Sequence, residues 1–159
     1  ATITTTGTAI TINHTGAITI GATLASGAGA IDIDSTGSTI DISATVTTNT
    51  GAITIDADGL TTITDAGDIT TTSGNVTFGA TGTGVVETAG EITTGGGNII
   101  FTRATTITDA VTLSTGATGG DITFSNTLNG VLGNTDTLTL TAGTGAVLFN
   151  NTVGAGMIV

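Results

Sequence analysis

Two Asp-x-Asp pairs, Asp32/Asp34 and Asp56/Asp58, follow closely similar apolar words, IDID and ITIDAD. Carboxylates brought together in this way have two chemistries open to them. A pair facing a groove can share general acid and base work in glycoside hydrolysis. A cluster can also ligate Ca²⁺, which needs six to eight oxygens. Asp34 and Asp56 occupy the same position of their words and are expected to stack about 5 Å apart if those words pair as strands. Asp68 and Glu91, 23 residues apart, are expected to stack likewise, at a cost from like charge unless a cation or a shifted pKa relieves it. These four acids, Asp34, Asp56, Asp68 and Glu91, are the weak Ca²⁺ candidates. The competing expectation is a solvated acidic face screened by salt.

The remaining reactive residues are sparse. Arg103 is the only Lys or Arg, against twelve Asp and Glu, for a net charge of −11. A lyase site that must neutralise an acidic sugar is hard to build from one cation, and Arg103 is expected to pair with a nearby acid such as Asp109 or Asp121. His14 is the only histidine and there is no cysteine, so neither a triad nor a zinc site can be assembled. The expectation is therefore no enzyme, no catalytic or cofactor-binding residue and no cofactor beyond Ca²⁺. The charge also opposes nucleic acid, whose phosphates are held by Lys and Arg. No run of about 18 apolar residues is present to insert in a membrane as a helix. Ala1 in place of an initiator Met is expected of a processed chain or an excised segment.

What must position these residues is a repeat. The word Gly-x-(Ile/Val)-x-(Ile/Phe) begins at Gly29, Gly51, Gly74, Gly97, Gly120 and Gly145, at spacings of 22, 23, 23, 23 and 25, with a diverged first copy, TAITI, at Thr8. Alternation of Ile, Val and Phe with polar residues is the strand signal. Aligning the copies gives two apolar columns. One is Ile10, Ile31, Ile53, Val76, Ile99, Ile122, Val147; the other is Ile12, Ile33, Ile55, Phe78, Phe101, Phe124, Phe149. Columns of like residues in constant register are what stacked coils require. The expected fold is all-β: a single right-handed parallel β-helix over residues 1–159, with about seven coils of 21–25 residues and two or three strands in each. Glycines, Asn, Asp and Ser are placed at corners, where positive φ is often needed. The change from Ile to Phe in the second column implies a compensating change in another wall. Asn75, Asn98 and Asp121 share one position and are expected to form a ladder of stacked amides bonding one another.

Threonine makes up roughly a quarter of the chain, which raises a hydroxyl-presenting face for ice or glycan. The outward position between the two columns reads Asp32, Thr54, Thr77, Ile100, Thr123, Leu148, which interrupts such an array. Sequons at Asn13, Asn75 and Asn150 offer surface glycan acceptors. Neither end resembles a cap, so the expectation is a slice of a longer shaft, continued covalently or by chains stacked end to end.

The words GDITF and GNVTF, with runs such as DTLTLTAGTGAVLFNNTVG at 136–154, resemble the repeat arrays of filamentous-haemagglutinin-like exoproteins and related strand-repeat surface adhesins of Gram-negative bacteria. The resemblance covers most of the chain. It implies a long right-handed β-helix exported to the bacterial surface as the shaft of an adhesin, extracellular, self-associating or continuous with its array, and carrying no catalytic motif.

Overall fold

The computed structural model describes residues 2–79, 83–131 and 136–154. Every element among them is a short strand, and every strand pairing is parallel. The strands form three sheets of seven, seven and six, each chaining every third strand in order. This is a β-solenoid with three walls. The first wall runs from Ile3–Thr5 through Leu24–Ser26, Val46–Thr48, Ile69–Thr71, Ile92–Thr94 and Val111–Ser114 to Leu138–Thr141. The second holds the repeated words, Ile10–His14, Ile31–Ser35, Ile53–Ala57, Val76–Phe78, Ile99–Phe101, Ile122–Phe124 and Val147–Phe149. The third runs from Ile18–Ile20 through Ile40–Ile42, Thr61–Ile63, Val86–Thr88 and Thr105–Ile107 to Leu128–Gly130. There are about six complete turns rather than seven. The seventh has its first two strands and closes on the third wall only through a single bridge, Leu128 to Val153.

Both predicted columns run in register through the second wall, Ile10↔Ile31 and Ile12↔Ile33 at one end, Ile122↔Val147 and Phe124↔Phe149 at the other. Their middle members are sealed: Ile31, Ile33, Ile53, Val76, Phe78, Ile99, Phe101 and Ile122 have no exposure. The ends depart from the predicted core. Ile12 is half-buried, and Val147 and Phe149 are 37% and 44% exposed because no described coil covers them. The four phenylalanines stack nearly parallel, with centroids 4.7, 5.0 and 5.4 Å apart. That spacing is dictated by the strand separation of about 4.8 Å. The third wall narrows in the same direction, beginning one coil before the change to Phe. Ile18/Ile20 and Ile40/Ile42 accompany Ile12 and Ile33, one of the two is already Thr61 beside Ile55, and each Phe coil likewise pairs one larger apolar residue with Thr or Gly, as Val86/Thr88, Thr105/Ile107 and Leu128/Gly130.

The glycine that opens each word has a different reason from the expected one. None of Gly29, Gly51, Gly74, Gly97, Gly120 and Gly145 has positive φ. A Cβ on each would instead enter the backbone of the preceding coil, and from Gly51 onward the atom met is the carbonyl oxygen of the previous glycine in the same file. Beside this file runs a buried hydroxyl ladder absent from the sequence reading. Thr48 and Thr71 donate to the carbonyls of Gly51 and Gly74 at 2.5 Å, Thr94 donates to Gly97, and Thr115 donates to Gly120 at 2.7 Å. Each bond satisfies a corner carbonyl that would otherwise be left without a partner in the interior, at about 1–3 kcal/mol if orphaned.

Candidate functional site

The acidic residues of the second wall are the natural place to look for chemistry. Strand pairing aligns Asn13, Asp34 and Asp56 in one file, so the predicted stacking of Asp34 on Asp56 is observed. Their environments differ. Asp56 is buried at 6% exposure, Asp34 is half-buried, and Asp32 and Asp58 are exposed. Asp58 accepts a hydrogen bond from the Gly37 N–H at 2.8 Å.

Asp56 is engaged by Arg103, which is itself only 4% exposed. The guanidinium donates to the Asp56 carboxylate and to the Ala57 carbonyl. This corrects the expected partners, Asp109 and Asp121. Arg103 follows the strand Ile99–Phe101 of the fifth coil, yet its partners lie on Ile53–Ala57 of the third. It reaches them past Gly79 of the fourth coil, where φ is +74° and any Cβ would collide with the Arg103 side chain. Gly79, having no side chain, leaves the space that the Arg103 stem occupies. Seven residues, 79–85, separate the fourth coil's strands Val76–Phe78 and Val86–Thr88, against three (58–60 and 102–104) in the coils on either side. The arrangement is a sealed ion pair, not a carboxylate pair open to a groove.

Burial, followed by the charges of Asp56, Asp32 and Asp58, holds the Asp34 carboxyl above its ordinary value of 3.8. A raised folded-state value means that the ionised form disfavours the fold at higher pH. The penalty fades as pH falls through the raised value and is gone below 3.8. Asp34→Asn is therefore expected to raise the melting temperature at neutral pH, with the difference from the parent closing in acid. Thermal melts of both proteins between neutral pH and about pH 3 check this.

The other candidates are structural in their surroundings. Asp68 and Glu91 are neighbours as predicted, and the Asp68 carboxylate accepts from the Glu91 backbone N–H at 3.0 Å. Asn75, Asn98 and Asp121 do form a ladder, but not of amide to amide. Each side-chain oxygen accepts the backbone N–H of the equivalent residue one coil on, at 2.8 Å, ending on Ala146. Among the described residues no three of His, Asp and Glu converge as a metal-binding group. His14 and the sequon residues Asn13, Asn75 and Asn150 are exposed.

The hydroxyl array sought on the second wall lies on the first. There the outward file reads Thr4, Ala25, Thr47, Thr70, Thr93, Ser114, Thr141, all in register and at least partly exposed. Sequence reasoning missed it because only the second wall carries the conspicuous word. The apolar interior is open at both ends of the described coils. One hollow of about 300 Å³ is lined by Leu128, Leu138, Leu140, Phe149 and Val153, with Ile107 and Asp136. The other lies against Ile3, Ile12, Ile20 and Leu24. No protein-family model, curated protein or solved structure matches the chain.

Proposed function

We propose that the chain is a structural element, a segment of the shaft of an extracellular bacterial surface protein whose adhesive regions lie elsewhere. The observation that carries this reading is the last coil. Val147, Leu148, Phe149 and Val153 continue the interior and the wall in register yet are 37–45% exposed, so a further coil laid on them would remove apolar surface from water at about 25 cal/mol per Å². The bacterial, surface and adhesin parts rest on the resemblance of the repeat words. The shaft holds no catalytic residue or cofactor, spans no membrane and binds no nucleic acid.

The incoming coil must carry glycine over Gly145, as every later coil does over its predecessor. A second copy offers Thr8 at that corner. Continuation by a coil with the full word therefore suits the last coil better than stacking of free chains. Sedimentation equilibrium tests this. The parent is expected to stay monomeric and Thr8→Gly to associate with rising concentration, because its first coil then fits the last coil of another copy. A Thr8→Gly variant that remains monomeric at millimolar concentration shows that the last coil accepts no further coil, and the shaft reading fails. Association of the parent as well would mean that the Thr8 corner yields, and the shaft reading stands.

The file of outward hydroxyls on the first wall favours a second reading, a flat binding face for ice or for glycan. Hydroxyls repeat along it at about 4.8 Å, the spacing of paired strands, with Ala25 as the one gap. Under this reading the purified protein gives thermal hysteresis that Thr70→Lys removes; its absence, with no retention on glycan surfaces, rejects it.

A further inference from the structure

Coils four to six begin with nearly interchangeable words, GNVTF, GNIIF and GDITF. A chain made of such words has a particular hazard. Skipping one coil, so that the third pairs directly with the fifth, keeps every apolar column in register and aligns Ile55 with Phe101 as acceptably as with Phe78. The fourth coil is the one most readily looped out, since seven residues, and not three as in the coils on either side, already join its second and third strands. Hydrophobic pattern alone discriminates poorly against that alternative, and near-degenerate packings roughen the folding landscape.

We infer that the Arg103–Asp56 pair is a coil-counting lock that rejects such misaligned states during folding. The chain's only Lys or Arg is spent on a buried contact 47 residues away in sequence, two coils distant and across the coil most easily omitted. In the native count the guanidinium finds Asp56 and the Ala57 carbonyl. With the fourth coil omitted, the third and fifth coils become adjacent. The separation that the side chain spans collapses to one coil spacing, and no Gly79 lies beneath to give it room. With a slip of one residue the side chain changes face and the pair cannot form. The omission crowds the side chain and the slip strands it, and a buried charge without its setting is the kind of error most strongly rejected in an interior. No other Lys or Arg exists to substitute. The role is distinct from stabilisation, because a buried ion pair can often be replaced by apolar residues of similar volume without loss of stability.

The distinction gives the test. The double variant Asp56→Leu/Arg103→Met, and Asp56→Asn/Arg103→Gln beside it, are unfolded in guanidinium and refolded by dilution. Native yield is read by size exclusion, and protection of the third, fourth and fifth coils by hydrogen exchange. At least one double variant is expected to melt at or near the parent temperature, to lose about half or more of its native refolding yield, and to show a second population with the fourth coil unprotected. Phe101→Leu, which weakens the core without touching the pair, is expected to refold in full yield as a single population. Double variants that refold as completely and uniformly as the parent overturn the lock. So does failure of both to hold a native fold at all, because the pair would then be a stabiliser and not a selector.

Discussion

Adding one methyl group at Gly97 is expected to destabilise the protein by about 2–3 kcal/mol or more, at the upper end of what overpacking costs. The new Cβ would enter the carbonyl group of Gly74, which belongs to the backbone and cannot rotate away. Relief requires the fourth and fifth coils to separate at that corner. Separation there strains the bonds that cross between the two coils, from the Asn98 N–H to the Asn75 side chain and from the Val76 N–H to the Asn98 carbonyl. Gly97 does not lie at positive φ, so the loss is steric and would be larger still for Val. Gly21→Ala is the control. That position has no heavy atom within 4 Å of a new Cβ and no positive φ, and its effect is expected within about 0.5 kcal/mol of zero. Urea unfolding of the two variants measures the contrast. Equal midpoints would mean that the glycine file is not a close-contact seam.

Arg103→Ala is expected to cost about 3–5 kcal/mol, the usual loss when one member of a buried ion pair is removed. It leaves the Asp56 carboxylate, at 6% exposure, without its guanidinium, and opens a void beside Gly79. Asp56→Ala is expected to cost a similar amount by stranding the guanidinium. The two losses should not add, because removing both partners removes the uncompensated charge. A double-mutant cycle on denaturant unfolding checks this. Additive losses would place the stabilisation in packing of the Arg103 stem and not in the pair.

The second wall was legible because it satisfies two independent rules at once, an alternation within each word and a constant interval between words. From Ile31 to Ile122 the predicted columns are the observed core. The failures lie where a third dimension decides. The partner of Arg103 could not be found by proximity in sequence, since Asp109 and Asp121 are nearer along the chain while the bare backbone of Gly79 leaves the way open to Asp56. Val147 and Phe149 carry the same letters as buried members of their columns, and only the lack of a described coil above them leaves them exposed. The glycines were placed at corners correctly but for the wrong reason, because stacking density, unlike turn geometry, leaves no local sequence signal. The buried Thr ladder did leave one: Thr48, Thr71 and Thr94 each stand three residues before a word glycine. In a chain this rich in threonine that spacing was hidden among many others.

The parallel stacking of the walls also sets how the molecule carries load. The ladder hydrogen bonds that join the described coils run along the stacking direction, so tension applied at the two ends meets the coils in series and opens them one at a time, as a thread leaves a spool. Each coil released adds its own 21 to 25 residues of slack, roughly 80 Å of extended chain. The interval that makes the sequence repetitive is thus also the unit of extension, and a solenoid built this way lengthens in nearly equal increments before it breaks.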